Sequence, residues 1–218
     1  MSLLQVILFI PMLVAAYLAG AIPFGLVIGK VFFHVDVRAH GSGNVGTTNA
    51  FRVLGTKAGI AVLACDMLKG YVPALLASLL FDPWATIFVA SAPVAGHMYS
   101  VFLRGSGGKG IATGSAVVLA LVPAIYVVVI GIWIAVLLAS RMVSLASLMA
   151  AAALAVLVPL SGQPLPYSLA AILVAALVAF AHRGNIERML HHREPRVSFP
   201  WTAKPPAVSG TGRGTGRS

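Results

Sequence analysis

The sequence predicts an all-α integral membrane protein of seven transmembrane helices, some short or broken, with its N-terminus outside and its C-terminus in the cytoplasm. Three observations point there. Of 218 residues, 59% are hydrophobic and only 9% are charged, with a mean hydropathy of +0.96; a soluble domain is roughly half apolar and about a quarter charged. Apolar stretches near the roughly 20 residues a helix needs to cross a bilayer recur along the chain. The basic residues fall in loops that a single orientation places on one side.

Leu3 to Val31 is the first stretch. No basic residue precedes it and no cleavage site interrupts it, so it is expected to span rather than to be removed as a signal peptide. Ala58 to Leu80, Trp84 to Leu103, Val143 to Leu160 and Leu165 to Ala181 each read as one span. Ile111 to Ala139 is longer, and Pro123 near its middle removes a backbone donor where a helix would need it. Charge decides whether that stretch is one helix or two. With the N-terminus outside, Arg38, Arg52, Lys57, Arg104 and Lys109 all face the cytoplasm. One helix would put Arg141 and the basic tail outside, whereas two, with an outward turn at Pro123, keep every basic loop inside. Ile111 to Val122 is too short to cross alone, so the glycine loop before it is expected to dip into a protein-lined cavity.

The domain organisation is a single multi-pass membrane domain over 1–196 and a disordered, basic, Gly/Pro/Ser-rich tail over 197–218. Fifteen basic against five acidic residues give a net charge of +10. In a soluble chain this balance would suggest nucleic acid as a partner. Here the hydropathy turns it into a cytoplasmic face against anionic headgroups. The lone Cys65 excludes an internal disulfide and a cysteine-built metal site.

The remaining polar residues gather in three clusters. Gly41-Ser42-Gly43-Asn44-Val45-Gly46-Thr47-Thr48-Asn49-Ala50-Phe51-Arg52 ends on a cation. Gly105-Ser106-Gly107-Gly108-Lys109-Gly110-Ile111-Ala112-Thr113 holds one. His182-Arg183-Gly184-Asn185-Ile186-Glu187-Arg188 follows the last span. Glycine loops let backbone N–H groups converge on an anion, a following helix adds the positive end of its dipole, and Lys or Arg supplies the countercharge. The bland alternative is tight turns beside headgroups, but three such loops together favour a phosphate site. The spacings Gly41-x-Gly43-x-x-Gly46 and Gly105-x-Gly107-x-x-Gly110 match a dinucleotide fingerprint only in text, since neither lies in a βαβ unit. The second loop is no triphosphate P-loop, because Leu103 stands at the first glycine's place and Gly110 where Ser or Thr should follow the lysine. Asp66 and Lys69, three apart on one helical face, read as a self-neutralising pair. His97 could be a core or a site-facing residue, and Ser144 and Ser147 read as interhelical hydroxyls.

At these three clusters the sequence resembles the bacterial acyl-phosphate:glycerol-3-phosphate acyltransferases of the PlsY family. Gly41 to Asn49, Gly107 to Thr113 and His182 to Arg188 follow that family's three loops. Ile22-Pro23-Phe24-Gly25, Asp66 to Gly70, Gly96-His97 and Val143 to Ser147 agree as well. Thr47 departs where the family usually has Ala, Gly184 where Glu is common, and Ser106 where Lys or a similar residue is expected. The resemblance implies seven membrane helices with a cytoplasmic active site, in the bacterial inner membrane.

It also implies the reaction: an acyl group passes from acyl phosphate to the 1-hydroxyl of glycerol 3-phosphate, giving 1-acylglycerol 3-phosphate and phosphate. An acyl phosphate is already activated, so direct attack needs no acyl-enzyme intermediate. By resemblance and charge, His182, Lys109, Arg52 and Asn185 are the expected catalytic residues. Ser42, Gly43, Asn44, Thr48, Asn49, Gly107, Gly108, Gly110, Ser147 and Arg183 are expected to bind substrate. His182 is the one plausible side-chain base, and the departing phosphate is the alternative. No cofactor is expected, and the few carboxylates argue against a dedicated metal site. The expected partners are glycerol 3-phosphate, acyl phosphate and membrane lipid, with no nucleic acid. The His and Asp separated by four residues that mark a different acyltransferase family are absent, which disfavours an acyl thioester donor. A transporter of a phosphorylated small molecule is the reading from another class. Against it, no repeated halves are evident and the polar clusters sit at helix ends rather than the midplane.

Overall fold

The computed structural model describes residues 2–197, and within them every regular element is helical. Ten α-helices follow in order: α1 Leu3–Ala21, α2 Phe24–Phe33, α3 Thr47–Leu54, α4 Thr56–Leu80, α5 Pro83–Met98, α6 Ile111–Leu121, α7 Pro123–Ser140, α8 Val143–Leu160, α9 Leu165–Ala181 and α10 Arg183–Leu190. Short 3-10 turns at Val37–Ala39 and Val101–Leu103 join the loops. The expected tail from 198 onward lies outside the described residues.

Five helical segments are long and apolar enough to cross a bilayer: α1, α4, α5 continued through its 3-10 turn to Leu103, α7 and α8. A sixth is reached when α9 and α10, which meet at 58°, are taken together. The break at Pro123 is present: α6 stops at Leu121 and α7 begins with the proline at its first position. Proline is tolerated there because a first-turn N–H has no intrahelical partner to lose. The 11 residues of α6 rise only about 17 Å, well short of a hydrocarbon core of about 30 Å.

The first apolar stretch is not one helix. Pro23 lacks the N–H that would continue the ladder and disfavours a helical Ile22. The chain therefore breaks after Ala21 and restarts as α2. The carbonyls freed at the break are satisfied by distant side chains. Ser100 Oγ donates to Ala21 O at 2.6 Å, and Lys69 Nζ donates to Ile22 O at 2.9 Å. Lys69 in turn lies 2.8 Å from Asp66 Oδ1, a pair 4% and 2% exposed. Asp66 also faces Thr47 Oγ1 at 3.4 Å and His97 Nδ1 at 3.7 Å. The pair reads in the structure as it does in the sequence, as buried and self-neutralising, with the added task of capping a broken helix.

Helices pack where small residues let backbones approach, since lipid offers no hydrophobic drive between them. Gly20 of α1 lies against the Pro93 backbone of α5, Gly96 of α5 against Tyr17, and Gly70 of α4 against the Thr113 carbonyl of α6. Ala16, Ala77, Phe81, Ala85, Val89 and Ala92 fill the α1–α4–α5 seam. A second core of Val122, Ile125, Val129, Ala150, Leu154, Val158 and Ala171 joins α7, α8 and α9. Large apolar side chains such as Leu79 (73% exposed), Val127 and Phe180 face outward, the arrangement expected where lipid is the solvent. The packing brings the loop before α3, the loop before α6 and the start of α10 to neighbouring helix ends.

Candidate active site

The first glycine loop is shaped from within. Asn49, third residue of α3, accepts the Ser42 N–H at 2.9 Å and donates to Val37 O at 2.9 Å and His40 O at 3.1 Å. Asn44 Oδ1 accepts the Gly46 N–H at 2.8 Å, an Asx turn that launches the helix. Gly41 and Gly43 take positive φ, +62° and +71°, which a side chain would strain. Asn49 is 2% exposed with its amide fully engaged. Its bonds fold the loop that presents Ser42, Gly43 and Asn44.

The second loop is also pinned. The Gly107 and Gly108 N–H groups donate to Met98 O and His97 O, both at 3.0 Å, and a β-carbon at Gly108 would fall on the His97 imidazole. These two amides brace the loop against the end of α5. The N–H groups opening α6 just after Lys109 and Gly110 have no intrahelical partners and carry the positive end of the dipole. Between the two loops lies an open cleft of about 620 Å³ lined by Ser42, Gly43, Asn44, Ser106 and Gly107, with Arg38 and Arg104 as its cations. Arg38 is forked onto Asp36 at 2.9 and 2.7 Å, and these bonds hold the Asp36 carboxyl well below its ordinary range. Arg104 has no carboxylate partner among the described residues.

The third motif meets Lys109 at a second centre. Lys109 Nζ donates to Asn185 Oδ1. Asn185 Nδ2 donates to Glu194 Oε1 at 2.6 Å, which also accepts from Ser144 Oγ at 2.7 Å, while Arg188 Nε reaches Glu194 Oε2 at 2.8 Å. His182, 3% exposed just past the last residue of α9, has Nδ1 2.9 Å from Val178 O. A carbonyl only accepts, so Nδ1 carries the proton and Nε2 is left as the acceptor. Burial, reinforced by the nearby Lys109 charge, pushes His182 down to about 4. Burial also lowers Lys109, against the pull of Glu194. Against its own desolvation, donors from Asn185, Ser144 and Arg188 hold Glu194 below its ordinary value.

Of the expected site residues, the structure joins Lys109, His182 and Asn185, and puts Ser42, Gly43 and Asn44 beside Gly107. Thr48 is exposed on the first turn of α3, and Arg52 is exposed with its side chain running past Gly41. Gly110, at φ +74°, caps the entry to α6. Arg183 is turned onto Phe180, 4.4 Å over its ring and bonded to its carbonyl. Ser147 bonds Val143 O and Trp133 Nε1; one turn earlier, the Ser144 hydroxyl bonds Glu194, which also accepts from Asn185. Sequence reasoning missed Ser144, Glu194, Arg38 and Arg104 as site neighbours. Arg104, directly before a glycine loop, and Ser144, within the stretch Val143 to Ser147, carried readable signals. Among the described residues no group of three His, Cys, Asp or Glu could hold a metal ion.

Fold and site together define a polytopic helical membrane protein with a cationic centre at helix ends. A family model described as glycerol-3-phosphate acyltransferase matches residues 10–192. The glycerol-3-phosphate acyltransferase of Geobacillus kaustophilus (strain HTA426) is 43% identical over 188 residues, covering 86% of this chain and 95% of that protein. That of Aquifex aeolicus (strain VF5) is 43% identical over 187, covering 85% and 97%. The crystal structure of PlsY (YgiH), an integral membrane glycerol 3-phosphate acyltransferase, in its glycerol 3-phosphate form superposes with a TM-score of 0.84 at 42% identity, over 87% of this chain and 96% of that one. Its lysophosphatidic acid form gives 0.82 at 41%, over 87% and 95%. The chain belongs to the glycerol-3-phosphate acyltransferase family of the PlsY type.

Proposed function

We propose that this protein acylates the 1-hydroxyl of glycerol 3-phosphate using acyl phosphate as donor, releasing 1-acylglycerol 3-phosphate and inorganic phosphate at the cytoplasmic face of a bacterial inner membrane. The single observation that carries this reading is the convergence of Lys109, Asn185 and His182 beside the opening of α6. An ammonium, an amide and an imidazole with a free Nε2 suit a phosphorylated acceptor whose hydroxyl must be oriented. The two relatives' names and the ligand of the PlsY structure support the choice of acceptor.

The hydroxyl oxygen attacks the acyl carbon, the new ester bond forms, and the bond from that carbon to the phosphate oxygen breaks. The hydroxyl proton passes to His182 Nε2 or to the departing phosphate, so no acyl-enzyme intermediate is needed. Lys109 and the first-turn amides of α6 stabilise phosphate and developing charge. Arg52, Ser42, Asn44 and Thr48 line the approach for the second anion, and holding two anions in register supplies much of the rate. Seven membrane passages with the N-terminus outside would place all these groups on one side, α6 crossing together with the loop before it.

Acyl transfer by the purified protein in lipid, with acyl phosphate or acyl thioester as donor, tests this. Product should form from acyl phosphate alone, and Lys109→Ala should lower kcat/KM by about 10²-fold or more. No product from any donor with folded protein would sink the reading. His182→Ala that keeps kcat and raises only the glycerol 3-phosphate KM would assign the proton to the departing phosphate.

A further inference from the structure

Three buried polar residues, Asp66, Lys69 and His97, take no part in the proposed reaction, yet they lie under both glycine loops. The Asp66 carboxylate is their common point. Its Oδ2 faces Thr47 Oγ1, at the start of α3, at 3.4 Å, and its Oδ1 faces His97 Nδ1 at 3.7 Å. Lys69, paired with Asp66, holds the Ile22 carbonyl at the α1–α2 break, and just beyond that break Gly25 packs against the Val45 carbonyl of the first loop.

His97 supports the second loop twice. Its carbonyl accepts the Gly108 N–H at 3.0 Å, and its imidazole, 6% exposed, turns Nε2 towards Gly108, where a β-carbon would fall on that nitrogen. Gly108 takes no left-handed φ, so the ring, not the backbone, excludes a side chain there. The imidazole thus fills the space between the Asp66 carboxylate and the backbone directly before Lys109. Close-packed groups transmit such contacts rather than absorb them. In the proposed reaction each loop presents groups to one of the two anions, so the spacing of the loops fixes the register in which hydroxyl and acyl carbon meet, and an ångström of misplacement costs rate steeply. We propose that His97 is a positioning residue for acyl transfer: its imidazole, seated against Asp66, sets the place of the Lys109 loop relative to the first loop, which Thr47 seats on the same carboxylate. The inference rests on the proposed reaction for its effect on turnover.

The contact can be broken from either side and rebuilt. His97→Asn keeps a polar atom where Nδ1 faces Asp66 and vacates the place of Nε2; Gly108→Ala puts a methyl group into that place. Full-length wild type, both single variants and the double variant are compared in lipid by kcat and KM for each substrate, per monodisperse molecule, and by calorimetric titration of inorganic phosphate without any donor. Each single variant should lose about ten- to a hundredfold in kcat and bind phosphate about three- to tenfold more weakly. The double variant should recover to within about threefold of wild type in both, the non-additivity of residues in contact. A merely structural role would lower the folded yield and leave kcat per molecule unchanged. A double variant no better than Gly108→Ala, one that does not fold, or a His97→Asn with wild-type kcat overturns the inference. Where His97→Asn alone does not fold, the double variant against Gly108→Ala still decides. If wild type turns over no donor, the proposed reaction fails, while the phosphate titration across the four proteins still decides whether His97 supports the Lys109 loop. A wild type that also binds no phosphate overturns both.

Discussion

His182 shows what a few bonds can do to one side chain. Its Nδ1–H is tied to Val178 O, and burial beside Lys109 lowers its titration from 6.5 to about 4. It is therefore neutral in the folded protein at neutral pH, with Nε2 ready to accept. The unfolded chain takes up this proton first on acidification, so the stabilising balance is intact above 6.5 and is lost as pH falls towards 4. The apparent thermal midpoint in detergent should drop across that window, and the drop should be shallower in His182→Gln. That His182 and Asn185 would matter was legible only through the resemblance of the cluster from His182 to Arg188. The tautomer and the lowered titration were not, because both come from groups that only packing brings near. The bonds of Asn49 were not legible either: its partners Val37 and His40 lie a loop away, and only the folded loop reveals them.

At the scale of elements, breaks matter as much as spans. Pro23 ends α1, and the freed carbonyls are met by Ser100 and by Lys69. Lys69 can sit there uncompensated by water because Asp66 lies 2.8 Å away. Removing one partner of a buried pair strands the other charge, typically at about 3–5 kcal/mol. Asp66→Ala should therefore destabilise the protein by about that amount. Asp66→Asn combined with Lys69→Met should lose less, about 1–3 kcal/mol, chiefly for the unmet Ile22 carbonyl. Thermal unfolding of the three proteins in one detergent checks the order; a double variant as damaged as the single one contradicts it. The proline at 23 is visible in the sequence as a break signal, but an apolar run through it reads as one span because hydropathy does not register a missing N–H.

For the whole molecule, seven passages would put Ser2, the Asp82–Pro83 turn and the Ser161–Gly162 turn outside, and Arg104 and Arg141 inside. Single cysteines at Ser2, Asp82 and Ser161 in a Cys65→Ala background should react with an impermeant maleimide from outside intact cells. Cysteines at Arg104 and Arg141 should react only after lysis. Labelling of Ser161→Cys from the inside would remove one crossing and count α6 as a re-entrant helix. The answer turns on α6, whose 11 residues rely on the pinned loop before it and on its packing against Gly70 of α4.

The sequence by itself determined the solvent, the helical class, the break at Pro123 and the three polar clusters, because hydropathy, proline and charge act locally and are written in order along the chain. Only the tertiary structure decided which members of those clusters meet. It brought Lys109 onto Asn185 across 76 residues of chain, bonded the Gly107 and Gly108 N–H groups to the Met98 and His97 carbonyls, and folded Glu194 back beside Asn185 and Ser144. Such pairings depend on the register of helix packing, which is set by small residues such as Gly20, Gly70 and Gly96 touching backbone far away in sequence, and no local pattern encodes that distance.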